Sequence, residues 1–174
     1  MHRIVELIKA DSMRIKLLQA VASLGLPDCY VAAGFVRNAV WDYLHNYTGT
    51  ALSDIDVVYY SKKEIDETYF LEALKSIMPG CNWQIKNQAF MHHRNSDAPY
   101  LNTSHAMEYW PEIETSVGAR MTDDEQIEVV APFGVESLFA GYITRNPNRS
   151  SHIFSERVRT KGWLEKWPKL KVVL

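Results

Sequence analysis

The run Ser53-Asp54-Ile55-Asp56-Val57-Val58 places two carboxylates at positions i and i+2 of a segment rich in β-branched residues. On a strand such positions project from one face, about 6–7 Å apart. Like charges there repel, and partial burial disfavours their ionisation. A hard cation removes the penalty, because Mg²⁺ takes oxygen ligands from one or two carboxylates together with substrate phosphates. Taken alone, the pair is also compatible with two exposed residues at the start of a strand. Upstream, Gly34 ends one apolar run and opens a helical pattern, so free N–H groups at that helix start would face an anion. Arg37 stands in the first turn of the same helix. Cation ligands beside a phosphate-binding turn make a place for a nucleoside triphosphate, ATP among them. Neither a Gly-rich dinucleotide fingerprint nor a P-loop is present.

The elements that must position these groups follow from periodicity. Ile4, Leu7 and Ile8, then Leu17, Leu18, Val21 and Leu24, predict one broken or two consecutive amphipathic helices within residues 1–26, the second capped by Asp11 or Ser12 and stopped by Gly25 and Pro27. Residues 29–33 predict a strand, and Val36, Val40 and Leu44 the helix after Gly34. A polar loop over 46–53 leads into a strand over 54–60. Ser61 with Glu64 reads as a capping box for a helix that Pro79-Gly80 ends. Alternation of Trp83, Ile85 and Asn87 with Gln84, Lys86 and Gln88 predicts a third strand. A short helix over about 104–110 and a hairpin of 115–121 with 126–131 follow, then a C-terminal helix within about 152–166. The fold class expected is α/β (α+β): a mixed sheet with an antiparallel hairpin, flanked by helices. One domain over 1–174 is expected, with its nucleotide and metal core over about 27–140.

Composition narrows the function classes. The chain of 174 residues is 47% hydrophobic and 23% charged with a formal net charge of −2, which excludes disorder and gives no strong case for a duplex nucleic-acid binder. No apolar run approaches the ~18 residues of a membrane span. Charges at Arg3, Glu6 and Lys9 interrupt what would be a secretory signal, so the expected location is cytoplasmic, without a membrane partner. Cys29 and Cys81 have no C-x-x-C spacing and read as small core residues.

Ala33-Gly34-Phe35-Val36-Arg37-Asn38, a helix, then Asp54-Ile55-Asp56 resembles the head of the DNA polymerase beta nucleotidyltransferase superfamily, and closely the G-G-x-V-R-D…D-x-D pattern of CCA-adding enzymes. Trp83…Lys86-Asn87-Gln88-Ala89…Met91-His92, Trp110-Pro111-Glu112…Thr115…Val117-Gly118…Arg120, Ala131-Pro132-Phe133-Gly134 and Phe154…Arg157…Lys161…Trp163…Trp167-Pro168 extend the likeness to a family of small stand-alone bacterial nucleotidyltransferase-like proteins. The resemblance implies the nucleotidyltransferase fold and a two-metal transfer. Asp54 and Asp56 would hold Mg²⁺ or Mn²⁺, an acceptor hydroxyl would attack the α-phosphorus of a nucleoside triphosphate, and pyrophosphate would leave. A third carboxylate is expected from a neighbouring strand, and Glu128 is the choice, facing away from Ile127 and Val129. Gly34, Phe35, Arg37 and Asn38 are the expected phosphate-binding residues.

Phe35 follows Gly34 where a second Gly or a Ser is usual, and its ring is expected near the phosphates; Asn38 replaces an Asp. Both departures keep open a catalytically inactive binding or regulatory module of the same fold. Lys86, Gln88 and His92 are further candidate substrate contacts, Lys86 and Gln88 sharing one strand face. The cations from Arg157 to Lys171, interleaved with Trp163 and Trp167, read first as a solvated helix face with the indoles inward and second as contacts to RNA or phosphate. Too few residues remain for transfer-RNA-gripping helical domains, so a small molecule or a protein is the expected acceptor rather than RNA.

Overall fold

The computed structural model describes residues 1–174. In chain order the elements are α1 (His2–Lys9), α2 (Ser12–Ala22), β1 (Tyr30–Ala32), α3 (Gly34–His45), β2 (Ile55–Tyr59), α4 (Glu67–Ile77), β3 (Trp83–Asn87), α5 (His92–Asn95), α6 (Thr103–Met107), β4 (Gly118–Met121), β5 (Ile127–Val130), α7 (Glu136–Phe139), β6 (Tyr142–Thr144), α8 (Ser151–Lys161), α9 (Trp163–Lys166) and β7 (Lys171–Val173). Local chemistry sets most of their ends. Asp11 caps α2 by accepting from the N–H groups of Met13 and Arg14. For α4 the cap is Asp66, whose side chain accepts from Thr68 N–H. Ser61 is therefore not the cap: its hydroxyl turns to the Lys63 carbonyl, in the loop before the helix.

Five strands form a mixed sheet in the order β3-β2-β1-β4-β5, with β2 and β3 parallel and the other three pairs antiparallel. Period-2 alternation decides its faces. Ile55, Val57 and Tyr59 of β2, Trp83 and Ile85 of β3, Val31 of β1, Ala119 of β4 and Ile127 of β5 belong to one cluster of 26 buried apolar residues. Helices α1, α2, α3 and α4 cover that face through Ile4, Ile8, Leu17, Phe35, Val40, Trp41 and Leu74. Asp56 and Val58 project from the other face, so the core strand that fixes the sheet also presents a carboxylate on the face opposite that cluster.

Beyond the hairpin, β6 and β7 pair in parallel as a separate two-stranded sheet. Between them α8 and α9 return the chain to α3. Trp167 is 2% exposed and its ring lies 5.1 Å from that of Trp41, and Trp163 approaches the same indole at 5.7 Å. No helix is long and apolar enough to cross a membrane.

Candidate active site

The site begins at the turn between β1 and α3. Ala33 N–H donates to Val117 O across the sheet, and the next residues wind into helix with Arg37 N–H on Ala33 O. To make this corner Ala33 adopts φ 53° and ψ −118°, a conformation that a Cβ disfavours by ~1–3 kcal/mol. It leaves the first N–H groups of α3 without intrahelical partners, opening beside Asp54 and Asp56. Ala33→Gly is expected to relieve the strain against the extra freedom of the unfolded chain, a net gain of about 1 kcal/mol and 2–4 °C in Tm. A calorimetric scan showing a lower Tm would mean the surrounding structure holds Ala33 without strain.

The cleft is lined by Ala33, Gly34, Arg37 and Asn38 of the turn and α3, Ser53, Asp54 and Asp56 before and within β2, Thr115, and Arg157, Lys161, Trp163, Lys166 and Trp167 of the C-terminal helices. It encloses about 110 Å³, well below the ~300 Å³ of pockets that take a small ligand whole. It therefore suits the phosphate end of a nucleotide, with sugar and base outside. Larger cavities, about 500 Å³ beside Cys29 and Arg120 and about 710 Å³ beside Arg14 and Cys81, contain neither the paired aspartates nor the cation set.

Asp54 is held by Ser53, whose hydroxyl donates to its Oδ1 at 2.6 Å, while Asn82 Nδ2 donates to Ser53 O at 3.0 Å. Burial and then the neighbouring Asp54 push the Asp56 carboxyl above its usual range, against Lys161, Arg37 and Arg157, which pull it down. Mutual repulsion in a partly desolvated cleft is the condition a hard cation relieves, and two carboxylates with room for substrate oxygens fit Mg²⁺ or Mn²⁺. No third Asp, Glu, His or Cys joins them.

Arg37 is 7% exposed. Its guanidinium lies 4.7 Å from the Trp41 ring centroid and 4.6 Å from that of Trp163, beside the edge-to-face pair that the two indoles form. Nη1 donates to Thr115 Oγ1 at 2.7 Å, and Nε and Nη2 donate to Asn38 Oδ1 at 3.3 and 3.0 Å. Burial pushes its pKa down to about 10, with Glu112 acting in the opposite direction. All three hydrogen bonds go to neutral groups and no carboxylate forms an ion pair with it, while Glu112, Asp56 and Asp54 act on its charge from a distance. Such a group is suited to a phosphate. Arg157 meets Glu112, which is 1% exposed, through Nε at 2.6 Å and Nη2 at 3.2 Å.

Several expected roles need correction. Phe35 does not reach the phosphates: it is fully buried in the core, and only its carbonyl is engaged, by Arg14 Nη1. Its ring obstructs nothing, and the unusual residue at the turn is Ala33. Glu128 is not a third carboxylate. The register runs from Asp56 to Ala32, Gly118 and Val130, so β5 lies three strand spacings from β2, about 14 Å away. Glu128 sits there on the exposed edge, taking Arg120 Nη2 at 2.5 Å. Beside Asp56 the neighbouring strands offer Ala32 and Gln84, not an acid. Glu128→Gln is expected to change transfer less than twofold and stability by ~0–1 kcal/mol; a tenfold loss of activity would restore it to the site.

Lys86, Gln88 and His92 also lie elsewhere. Lys86 Nζ pairs with Glu67 at 3.2 Å, Gln88 is buried in the turn after β3 and donates to Lys86 O, and His92 Nδ1 meets Ala89 O. All three follow the end of β2 opposite to Asp54, since Lys86 is in register with Val58. Arg157, Lys161 and Lys166, read from the sequence as solvated, line the cleft. Their signal was the i, i+4 spacing of Arg157 with Lys161 and of Trp163 with Trp167, which puts cations and buried indoles on faces that α3 can anchor.

Comparison with known proteins agrees with this geometry. A family model described as nucleotidyltransferase matches residues 19–172. A solved structure described as revealing a CCA-adding enzyme head domain aligns with a TM-score of 0.84 at 28% identity, over 99% of this chain and 95% of that one. A CCA-adding enzyme solved in complex with CTP aligns with a TM-score of 0.60 at 14% identity, over 98% of this chain but 42% of its own length. No curated protein matches. With the β1–α3 turn, the paired aspartates of β2 and the family match in agreement, the chain belongs to the nucleotidyltransferase family.

Proposed function

We propose that the protein transfers a nucleoside monophosphate from a triphosphate to a hydroxyl of a small-molecule or protein acceptor, using Mg²⁺ or Mn²⁺. The observation that carries this reading is one cleft holding Asp54 and Asp56 against Arg37, Arg157, Lys161 and Lys166. Two acids alone would call for a cation, and Arg37, Lys161 and Lys166, none of them in an ion pair, for an anion, with Arg157 already on Glu112. Their union suits a polyphosphate with a divalent metal between. CTP in the solved CCA-adding enzyme complex supports a triphosphate as the donor class.

Asp54 and Asp56 would be the metal ligands, and a bound divalent ion would supply charge neutralisation and Lewis-acid polarisation of the phosphate. The chain's own groups supply the rest. The α3 N-terminus and Arg37 hold phosphate oxygens, and Lys161 and Lys166 balance the charge of the leaving pyrophosphate. The acceptor oxygen forms its bond to the α-phosphorus as the α–β bridge breaks, and the hydroxyl proton leaves to solvent. The ring of Phe35, which would have argued for an inactive module, lies in the core and does not weigh against transfer.

Incubation with each α-³²P-labelled triphosphate and Mg²⁺ or Mn²⁺, with and without cell extract, tests the reading. Label should pass to an extract component with one base preferred. Tight triphosphate binding with no label transferred in any extract would instead make this a nucleotide-binding module.

A further inference from the structure

The carboxylate loop and the C-terminal cations come from segments more than a hundred residues apart, yet both are tied to one buried side chain. Asp42 on α3 is 3% exposed. Its Oδ2 accepts from Thr50 N–H at 2.7 Å, and its Oδ1 accepts from Thr50 Oγ1 at 2.6 Å and Trp167 Nε1 at 2.8 Å. Thr50 belongs to the loop that delivers Ser53 and Asp54, and Trp167 follows α9, which delivers Trp163 and Lys166. Its hydrogen bonds come from neutral donors; the buried Arg14 guanidinium ion-pairs with Asp11 at 3.2 Å and acts on Asp42 only through space. A buried carboxylate kept by three neutral donors is costly unless each donor is in place. It is thus a poor general stabiliser and a strict gauge of where the two segments sit.

We infer that Asp42 is the positioning residue of this site, fixing the metal-binding arm through Thr50 and the phosphate-binding arm through Trp167. The inference rests on the nucleotidyl-transfer reading. Neither donor reaches the cleft contents through Asp42 itself; each sets the backbone from which the working groups extend. The two hydrogen bonds to Oδ1 share an atom, while Thr50 N–H holds Oδ2 alone. In Asp42→Asn the amide either turns its NH₂ toward the Thr50 N–H or toward the donors at Oδ1, so at least one arm loses its acceptor. The single-arm variants Thr50→Val and Trp167→Phe remove one side-chain donor each; the first keeps the side-chain shape, and the second keeps an aromatic ring beside Trp41 while losing the pyrrole ring with its N–H.

The test uses two probes on the full chain: Mn²⁺, counted by electron paramagnetic resonance, and inorganic tripolyphosphate without metal, by calorimetry. Thr50→Val should weaken Mn²⁺ binding about tenfold and leave tripolyphosphate within twofold. Trp167→Phe should do the reverse, and Asp42→Asn should weaken at least the probe of the arm that its amide leaves without an acceptor. If Asp42→Asn fails to fold, the two single-arm variants decide the matter by themselves. A merely structural role would lower Tm in each variant and leave both affinities of the folded protein unchanged, and that result overturns the inference. So does an equal loss of both probes in each single-arm variant. Wild-type protein that binds neither probe overturns the nucleotidyl-transfer reading as well, whereas wild-type binding matched by all three variants overturns the positioning role alone.

Discussion

Asp56→Asn should end nucleotidyl transfer and at the same time raise the melting temperature of the metal-free protein. The two effects have one cause. Burial and Asp54 push the Asp56 carboxyl above its usual range, so the folded state binds a proton more tightly there than the unfolded chain does. A group with a raised folded pKa contributes its stability fully below the unfolded value near 3.8, and that contribution is lost as the pH rises through the folded value. Above that range the wild type holds an ionised carboxylate that folding disfavours. The amide keeps the shape and removes the charge, and each kcal/mol regained is worth about 2–4 °C in a chain of this size. Activity moves the other way, because a metal deprived of one of two protein carboxylates loses several kcal/mol of transition-state stabilisation, on the order of 10³-fold in rate. Scanning calorimetry in EDTA at pH 7 and at pH 4, beside Mn²⁺ titration, checks both. The gain in Tm should shrink at the lower pH, as the wild-type carboxyl takes up a proton more readily than the unfolded chain does. A variant that melts lower than wild type at pH 7 would make Asp56 a structural strand residue and remove the strain argument for metal.

What the sequence made legible was what short spacing controls. Asp54 and Asp56 at i and i+2 had to share a strand face, and Gly34, Arg37 and Asn38 at i, i+3 and i+4 had to share a helix face; all five line one cleft. The same helical spacing already separated Phe35 from them, because a residue one step from Gly34 points about 100° away, toward Val36 and the core. Expecting its ring at the phosphates followed the motif and overlooked the phase. Strand order was not legible. The hairpin of β4 and β5 was foreseen, but nothing local says that β1 and β4 intervene between β2 and β5, and Glu128 was misplaced by that distance. Nor could charge pattern alone dock α8 and α9. Their place depends on Trp163 and Trp167 packing on Trp41, more than a hundred residues upstream. Burial of the indoles was foreseen, but not that it would turn Lys161 and Lys166 toward Asp54.

Substitution of Arg37 should separate what that side chain does for the fold from what it does for the ligand. Its guanidinium lies against both Trp41 and Trp163, beside the pair they form. Desolvated cation–π contacts are worth ~2 kcal/mol each, offset by the cost of burying the charge, which is visible in the pKa pushed down to about 10. Arg37→Ala loses those contacts and leaves a void beside the two indoles, so a net cost of about 2–4 kcal/mol and 5–15 °C in Tm is expected. Arg37→Met fills the same slot without a charge. Buried charges replaced by apolar side chains of similar volume are often close to neutral in stability, and water in the cleft can satisfy Thr115 and Asn38. The Met variant should therefore melt within a few degrees of wild type. Its triphosphate affinity should still fall tenfold or more while nucleoside affinity holds, because only the phosphates carry the charge that a guanidinium answers. Calorimetry with a triphosphate and the matching nucleoside reads both. Wild-type triphosphate affinity in Arg37→Met would take the guanidinium out of the site. A Met variant as unstable as the Ala variant would instead show that the stacked cation, and not its volume, holds α9 against α3.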